Sequence, residues 1–283
     1  MSTEYNLAIL EDLRSSDEIA LLARVTRDLR RAALVLTDSE ARYLVDLYYT
    51  TQDIRIRAAA QVRSATDEPN ALLTWVFGSF EAVERTCKYA LDKYSLRTRP
   101  GRWLRSIHGV GPVIAAGFLA HLDVTKTPTA GGFWRFAGYD PDVKWERGKK
   151  RPWNADLKTL CWKLSGSFVI HRSSDKDYYG HLYEQRKAQE VARNESGQNA
   201  ETARITLEER NIRDVATRKC YESGKLPDGR VDLRARRWTA KIFLSHLHHV
   251  MYVDEYGEPP PIPYAFSHLG HGHYIPIPGW PIE

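Results

Sequence analysis

The chain has 283 residues, of which 42% are hydrophobic and 27% charged, with 41 Lys+Arg against 36 Asp+Glu. That length buries a full core in one elongated or two small domains. The three scattered cysteines, Cys87, Cys161 and Cys220, exclude a disulfide framework and suit a reducing compartment; the absence of a signal-peptide pattern and of any apolar run near the roughly 18 residues of a membrane span predicts a soluble protein, cytoplasmic in a prokaryotic or virus-infected cell.

Charge is distributed unevenly. Residues 101–172 hold twelve basic and five acidic residues, which leaves the rest of the chain slightly acidic. A locally basic segment in a near-neutral chain suits phosphate binding, and a solvated surface is the plain alternative. Residues 1–98 read as a helical arm. Leu22, Val25, Leu29, Ala32 and Leu36 make one stripe. Leu44, Leu47, Thr51, Ile54, Ala58 and Val62 make a second, capped by Thr37 or Asp38. Leu72, Val76, Phe80, Val83, Cys87, Leu91 and Tyr94 make a third, opened by Pro69 and Asn70. Helices of 25 residues reach about 38 Å. The pattern predicts an antiparallel, coiled-coil-like hairpin that either packs on its own domain or pairs with a second copy.

Residues 99–194 form the next segment. It opens on Ile107-His108-Gly109-Val110-Gly111-Pro112 and an apolar run. Gly109 and Gly111 permit a tight turn, Pro112 suits the first turn of a helix, and the amides of Val113, Ile114 and Ala115 are left to face an anion. This is the pattern of a helix-hairpin-helix. Trp134 and Phe136 alternate as core residues, and a polar helix follows over 175–193. Residues 195–254 supply accessory helices over 201–222 and 231–253, separated by the turn GKLPDGR at 224–230. Residues 255–283 read as an extended tail: the last thirty residues hold seven prolines and three histidines. The fold class expected is all-α.

Three pieces in order, SIHGVGPVIAAGFLAHLD at 106–123, TAGGFWRFAGYDP at 129–141 and RGKKRPWNADLKTLCWKL at 147–164, resemble the C-terminal domain of the guide-RNA-dependent insertion-sequence transposases. That module is related to the Nop domain of box C/D ribonucleoproteins and recurs in the Tas proteins of tandem interspaced guide RNA systems. The resemblance covers about a third of the chain. It implies a small guide RNA and target DNA as partners, assembly in pairs, and contact with RNA at the start of the helix after the basic loop. The departures matter too. No strand-rich RuvC-like domain with its acidic residues precedes the module, and Asp142 to Pro152 contains no serine. The closest likeness is therefore a Tas protein lacking a nuclease, with no catalytic residue, cofactor or metal.

The residues expected to bind RNA fall in three groups. His108, Gly109, Val110, Gly111, Val113 and Ile114 belong to the hairpin. Trp145, Arg147, Lys149, Lys150, Arg151, Trp153, Asn154 and Lys158 belong to the basic loop and the helix after it, where cations meet phosphates and tryptophans offer stacking faces. Arg234, Arg237 and Lys241 share a helical face, to track a backbone or to pair with acids of 201–222. Two other readings stay open: a DNA-binding helix-hairpin-helix protein derived from a transposase, and a nuclease with an unrecognised site, for which Asp175 with Asp177, or Asp254, Glu255 and Glu258, are the acids at hand. His246, His248 and His249, with His268, His271 and His273, are badly spaced for zinc and are expected to hydrogen-bond where the last helix meets the tail.

Overall fold

A computed structural model describes residues 24–64, 71–261 and 275–282. Within them the chain is all-α: eleven α-helices and one short 3₁₀ turn, with no strand among the described residues. The expectations for Leu22, Pro69, Asn70, His268, His271 and His273 lie outside the described residues.

The chain divides into two compact bodies. The first takes the residues up to Arg105 together with Gly111–Asp123; the second takes Ser106–Val110 and everything from Val124 on. These units do not follow breaks at 98, 194 and 254. The second helix of the hairpin packs with the N-terminal helices, because its apolar face completes their core.

The first body contains α1 (Arg27–Leu34), α2 (Asp38–Ser64), α3 (Ala71–Ser95), nearly all of α4 (Arg99–Ser106), and α5 (Pro112–His121). Thr37 and Glu40 form a capping box at the start of α2: the Glu40 carboxylate accepts from the Thr37 amide at 2.8 Å, and the Thr37 hydroxyl accepts from the Glu40 amide at 3.3 Å. α2 and α3 run antiparallel. Asp38 accepts from the Tyr94 hydroxyl at 2.6 Å, Arg55 pairs with Glu84 at 2.5 Å, and Val62 clusters with Phe77. The main core joins Ala41, Val45, Leu91 and Tyr94 to Val113, Ala116 and Ala120 of α5. The expected stripe of α3 holds at Cys87, Leu91 and Tyr94, which are buried, and slips at its start. There Thr74 and Phe77 point inward, while Leu72 and Val83 are exposed. The alanine-rich α5 packs against the end of α3, where the stripe holds, whereas at its start Phe77 packs on Ala59 and Val62 of α2.

The second body contains α6 (Ala130–Phe136), α7 (Ala155–His171), α8 (Tyr178–Glu195), α9 (Ala200–Glu209), α10 (Val215–Glu222) and α11 (Asp228–Tyr256). α11 is its spine, with α6, α7 and α8 packed on it. Phe168 of α7, Tyr179 of α8 and Phe243 of α11 meet at its centre, with ring centroids 4.9 to 5.9 Å apart. Such aromatic contacts add about 0.5–1.5 kcal/mol each beyond the area they bury. The single helix expected over 201–222 is two. Asp214 caps α10 by accepting from the Thr217 amide at 2.7 Å, which restarts the helix after a break at 210–214. α11 begins directly after Pro227 and ends at Gly257, whose φ of 73° is left-handed.

The aromatic assignment in α6 also differs from expectation. Phe133 is the buried residue, Trp134 is half-buried, and Phe136 is exposed. A seven-residue helix lying on α11 turns only one face inward, and Phe133 occupies it, edge-on to His248. His246 and His248 serve the helix–tail junction and the loop before α6. His246 Nε2 donates to the Ile275 carbonyl at 3.1 Å, which leaves Nδ1 to accept from the Tyr179 hydroxyl at 2.8 Å. His248 Nε2 meets the Thr127 carbonyl at 2.9 Å. Burial lowers the pKa of both, that of His246 to about 4. Tyr178 holds the tail a second time, donating to the Pro276 carbonyl at 2.7 Å.

Candidate nucleic-acid interface

The turn of the hairpin is built as its glycines suggest. Gly109 has φ of 84°, in the left-handed region, and its carbonyl accepts from the Ser167 hydroxyl at 2.7 Å. The Val110 amide closes the turn on the Ile107 carbonyl at 3.0 Å, so it is not offered outward. His108 lies half-exposed, edge-on to the exposed His171 ring at 5.2 Å.

In the first body, Gly111 is the N-cap of α5 and Pro112 its first residue. The Ala115 amide already donates to the Gly111 carbonyl at 3.0 Å. The outward amides of that first turn are therefore those of Val113 and Ile114. The Val113 side chain is buried in the core, and Ile114 is half-buried.

A cationic and aromatic face assembles in the second body from four pieces of chain. The first is the segment after α6. The Asn154 amide donates to the Phe136 carbonyl at 2.9 Å, which ties this segment to the start of α7. Gly138, with φ of 71°, lies flat against the Trp153 ring: a Cβ there would fall 2.8 Å from Trp153 Cγ. On the same indole lies the Lys158 ammonium, 3.9 Å from the ring centroid. Gly138 and Lys158 both lie against Trp153, so the fold itself takes up part of that ring. Asn154 is likewise occupied, as the N-cap of α7, its side chain accepting from the Leu157 amide at 2.8 Å.

The basic loop supplies the second piece. Trp145 is 41% exposed, and its indole N–H donates to the Lys149 carbonyl at 2.7 Å, which fixes the ring while leaving it open. The Arg151 guanidinium lies 5.6 Å from that ring. Arg147, Lys150 and Arg151 are exposed; Lys149 pairs with Glu146 at 2.7 Å, both of them exposed, so water weakens that pair.

α7 and α11 complete the face. Lys158 is pushed below the usual lysine pKa by desolvation first, then by Arg237 and Arg151. Both neighbouring charges acting on it are cationic. Lys241 is lowered by burial as well, with its ammonium 4.3 Å from the Trp134 ring and with Asp140 and Asp142 working in the opposite direction. Arg234 does not belong to this face. Its guanidinium reaches Asn199 Oδ1 at 2.5 Å and Glu190 at 3.6 Å, and Glu190 is 2% exposed. It neutralises a buried carboxylate of α8, not one of the 201–222 segment.

Two residues that the sequence did not single out bear on the face and its surroundings. Trp162 is 50% exposed, with the Arg236 guanidinium 5.1 Å from its ring. Its position falls off the buried register Leu157, Leu160, Cys161, Leu164 and Phe168, a signal that helical periodicity carries. Tyr139 feels the Arg237 charge, and burial raises its hydroxyl pKa.

Among the described residues no helix is long and apolar enough to cross a membrane, and no group of three His, Cys, Asp or Glu side chains is placed to hold a metal ion. Asp177, one of the acids open to a magnesium reading, is the N-cap of α8 and accepts from the Gly180 amide at 2.9 Å. Comparison with known proteins finds no matching family model, no matching curated protein and no matching solved structure.

Proposed function

We propose that this protein binds nucleic acid through the face formed by Trp145, Arg147, Lys150, Arg151, Lys158 and Arg237. One observation carries the reading. Arg151 and Arg237 converge on a partly desolvated Lys158, and neither neighbouring charge on that lysine is acidic. Elsewhere in the same body cations meet acids: Arg236 and Lys187 on Asp232, Arg186 and Arg234 on Glu190. Gathering like charges costs free energy, and a polyanion is the ligand that offsets it.

The finer reading follows the order of motifs along the chain. The ligand is a small guide RNA, held by protein contacts to backbone and shape, and base pairing then selects target DNA in the cytoplasm without strand cleavage by this chain. The open Trp145 ring supports an unpaired segment of RNA as the element gripped, since a base in a duplex cannot stack on it.

Extraction of the purified full-length chain tests the reading. A discrete small RNA is expected, and its binding weakens steeply with salt. Lys158→Ala, Arg237→Ala and Arg151→Ala each lower the slope of log K against log salt by about 0.7–0.9. Protein free of nucleic acid, with weak binding that these substitutions leave unchanged, refutes it. Magnesium-dependent cleavage abolished by one acidic substitution refutes the non-enzymatic part alone.

A further inference from the structure

The turn of the hairpin rests on the end of α7. The Ser167 hydroxyl donates to the Gly109 carbonyl at 2.7 Å, and a Cβ on Gly109 would fall 3.2 Å from Ser167 Oγ and 3.6 Å from His171 Nδ1. Seating the turn needs the serine and the glycine alone. Two imidazoles stand beside that seat all the same: half-exposed His108 from the turn and exposed His171 from the last turn of α7. Their ring centroids are 5.2 Å apart, with the planes at 85°. Both residues belong to the second body.

Hydrogen bonds give the two rings different parts. His171 Nδ1 lies 2.8 Å from the Ser167 carbonyl. A carbonyl only accepts, so Nδ1 carries the proton and Nε2 is left as an acceptor. Among the described residues no hydrogen bond engages either ring nitrogen of His108. Two features favour positive charge here. His171 ends α7, where the last carbonyls of the helix attract a cation. Asp177 is buried and caps α8 through Oδ1, while its Oδ2 has no hydrogen-bond partner. Burial raises the Asp177 pKa; the Gly180 amide and then the charges of His108, His171 and His181 act to lower it. Arg172, next to His171, pairs with Glu184 at 3.4 Å.

An imidazole that takes a proton beside one that gives it can work on a phosphate ester near neutral pH. We propose that His171 and His108 cleave RNA by attack of its own 2′-hydroxyl. His171 Nε2 takes the proton of that hydroxyl, and the oxygen bonds to the adjacent phosphorus. The bond from phosphorus to the 5′-oxygen breaks, and His108, entering protonated, delivers its proton to that oxygen. The products are a 2′,3′-cyclic phosphate and a 5′-hydroxyl, and no other reactant is consumed. Asp177 is a positioning residue, whose charge favours the imidazolium that His171 becomes. DNA has no 2′-hydroxyl and is spared, in keeping with a target that is not cut. The inference rests on the nucleic-acid reading above, with RNA as the ligand.

The test incubates the full-length chain with a labelled single-stranded RNA in excess EDTA. Fluorescence anisotropy reads binding, and a denaturing gel reads the products. Cyclic-phosphate ends are expected, with DNA and 2′-O-methyl RNA of the same sequence left intact. At saturating RNA, His108→Gln and His171→Gln each lower the rate by about 10²–10⁴-fold. Asp177→Asn keeps a good N-cap on α8, so helical circular dichroism is retained while kcat falls by about tenfold and KM is unchanged. RNA that is bound but not cut overturns the proposal and leaves the nucleic-acid reading standing; RNA that is not bound overturns both. Cleavage that persists in both histidine variants, or that 2′-O-methyl RNA also undergoes, overturns the assignment of the site.

Discussion

Gly138→Ala is the substitution that most directly joins the fold to the cationic face. Gly138 has φ of 71°, and an alanine held there costs about 1–2 kcal/mol in backbone strain. The new Cβ would also lie 2.8 and 3.0 Å from two atoms of the Trp153 ring and 3.1 Å from Lys158 Cδ. The lysine stem can move aside; the indole packs on Gly138 and on the Lys158 ammonium, so displacing it disturbs both contacts. Overpacking of this kind adds about 1–3 kcal/mol, for a total loss of about 2–5 kcal/mol. Gly148 provides the control. Its φ is 88°, and nothing lies within 4 Å of a Cβ placed there. Gly148→Ala therefore carries the strain alone, partly offset by the roughly 0.4–1 kcal/mol gained from a stiffer unfolded chain. Urea denaturation of both variants beside the native protein measures the difference. Nucleic-acid binding supplies a second readout, since displacing Trp153 moves Lys158 and lowers the salt slope for Gly138→Ala only. Equal stabilities for the two variants would refute the packing of Trp153 on Gly138. A destabilised Gly138→Ala with a native salt slope would refute the part assigned to Lys158.

Three further substitutions separate the roles of neighbouring residues. Trp145→Ala is expected to weaken binding of single-stranded RNA by about 1–3 kcal/mol and to leave duplex binding unchanged, as read by fluorescence anisotropy; equal losses on both would show the ring is not a stacking surface. Arg234→Ala strips the Glu190 carboxylate, itself 2% exposed, of one of its partners while Arg186 remains, so it lowers stability by about 1–3 kcal/mol while leaving the salt slope of binding native; the reverse pattern would return Arg234 to the interface. Burial lowers the His246 pKa from 6.5 to about 4, so below pH 6.5 the unfolded chain takes up a proton that the folded chain refuses. Stability is then full above that pH and falls by about 3 kcal/mol as pH drops towards 4. His246→Gln is less stable at neutral pH but loses less on acidification, and an unchanged acid slope would refute the assignment.

The sequence shows most where local chemistry decides. The two glycines and the proline at 109–112 predict the turn and the start of α5, and Thr37, one of the two caps expected, marks the start of α2. Each is settled by a φ angle or a hydrogen bond within three residues, so no distant contact can override it. Trp153 shows where this fails. Tryptophan beside a basic run reads as a stacking platform, yet Gly138, fifteen positions back, and Lys158, five positions on, already lie against its ring. Arg234 fails in the same way, because its carboxylate partner sits on another helix. Phe133, Trp134 and Phe136 differ in burial only because α6 lies on α11, and periodicity over seven residues does not define that face. The stripe of α3 is buried at Cys87, Leu91 and Tyr94, half-buried at Val76 and Phe80, and exposed at Leu72 and Val83, since the start of α3 turns Phe77 onto α2 instead.

The same division bears on function. Counts of basic residues over 101–172 and along α11 locate cationic regions but give every lysine and arginine equal weight. Packing sorts them. Arg234 and Arg236 pair with buried or half-buried acids, and Lys149 with an exposed one; Arg151 and Arg237 are the charges that act on Lys158. Asp140 and Asp142 act on Lys241. Neither is among the charges acting on Lys158. Under the proposed function an anionic ligand offsets the repulsion on Lys158, so these three side chains, more than the number of cations around them, are where binding is to be measured first.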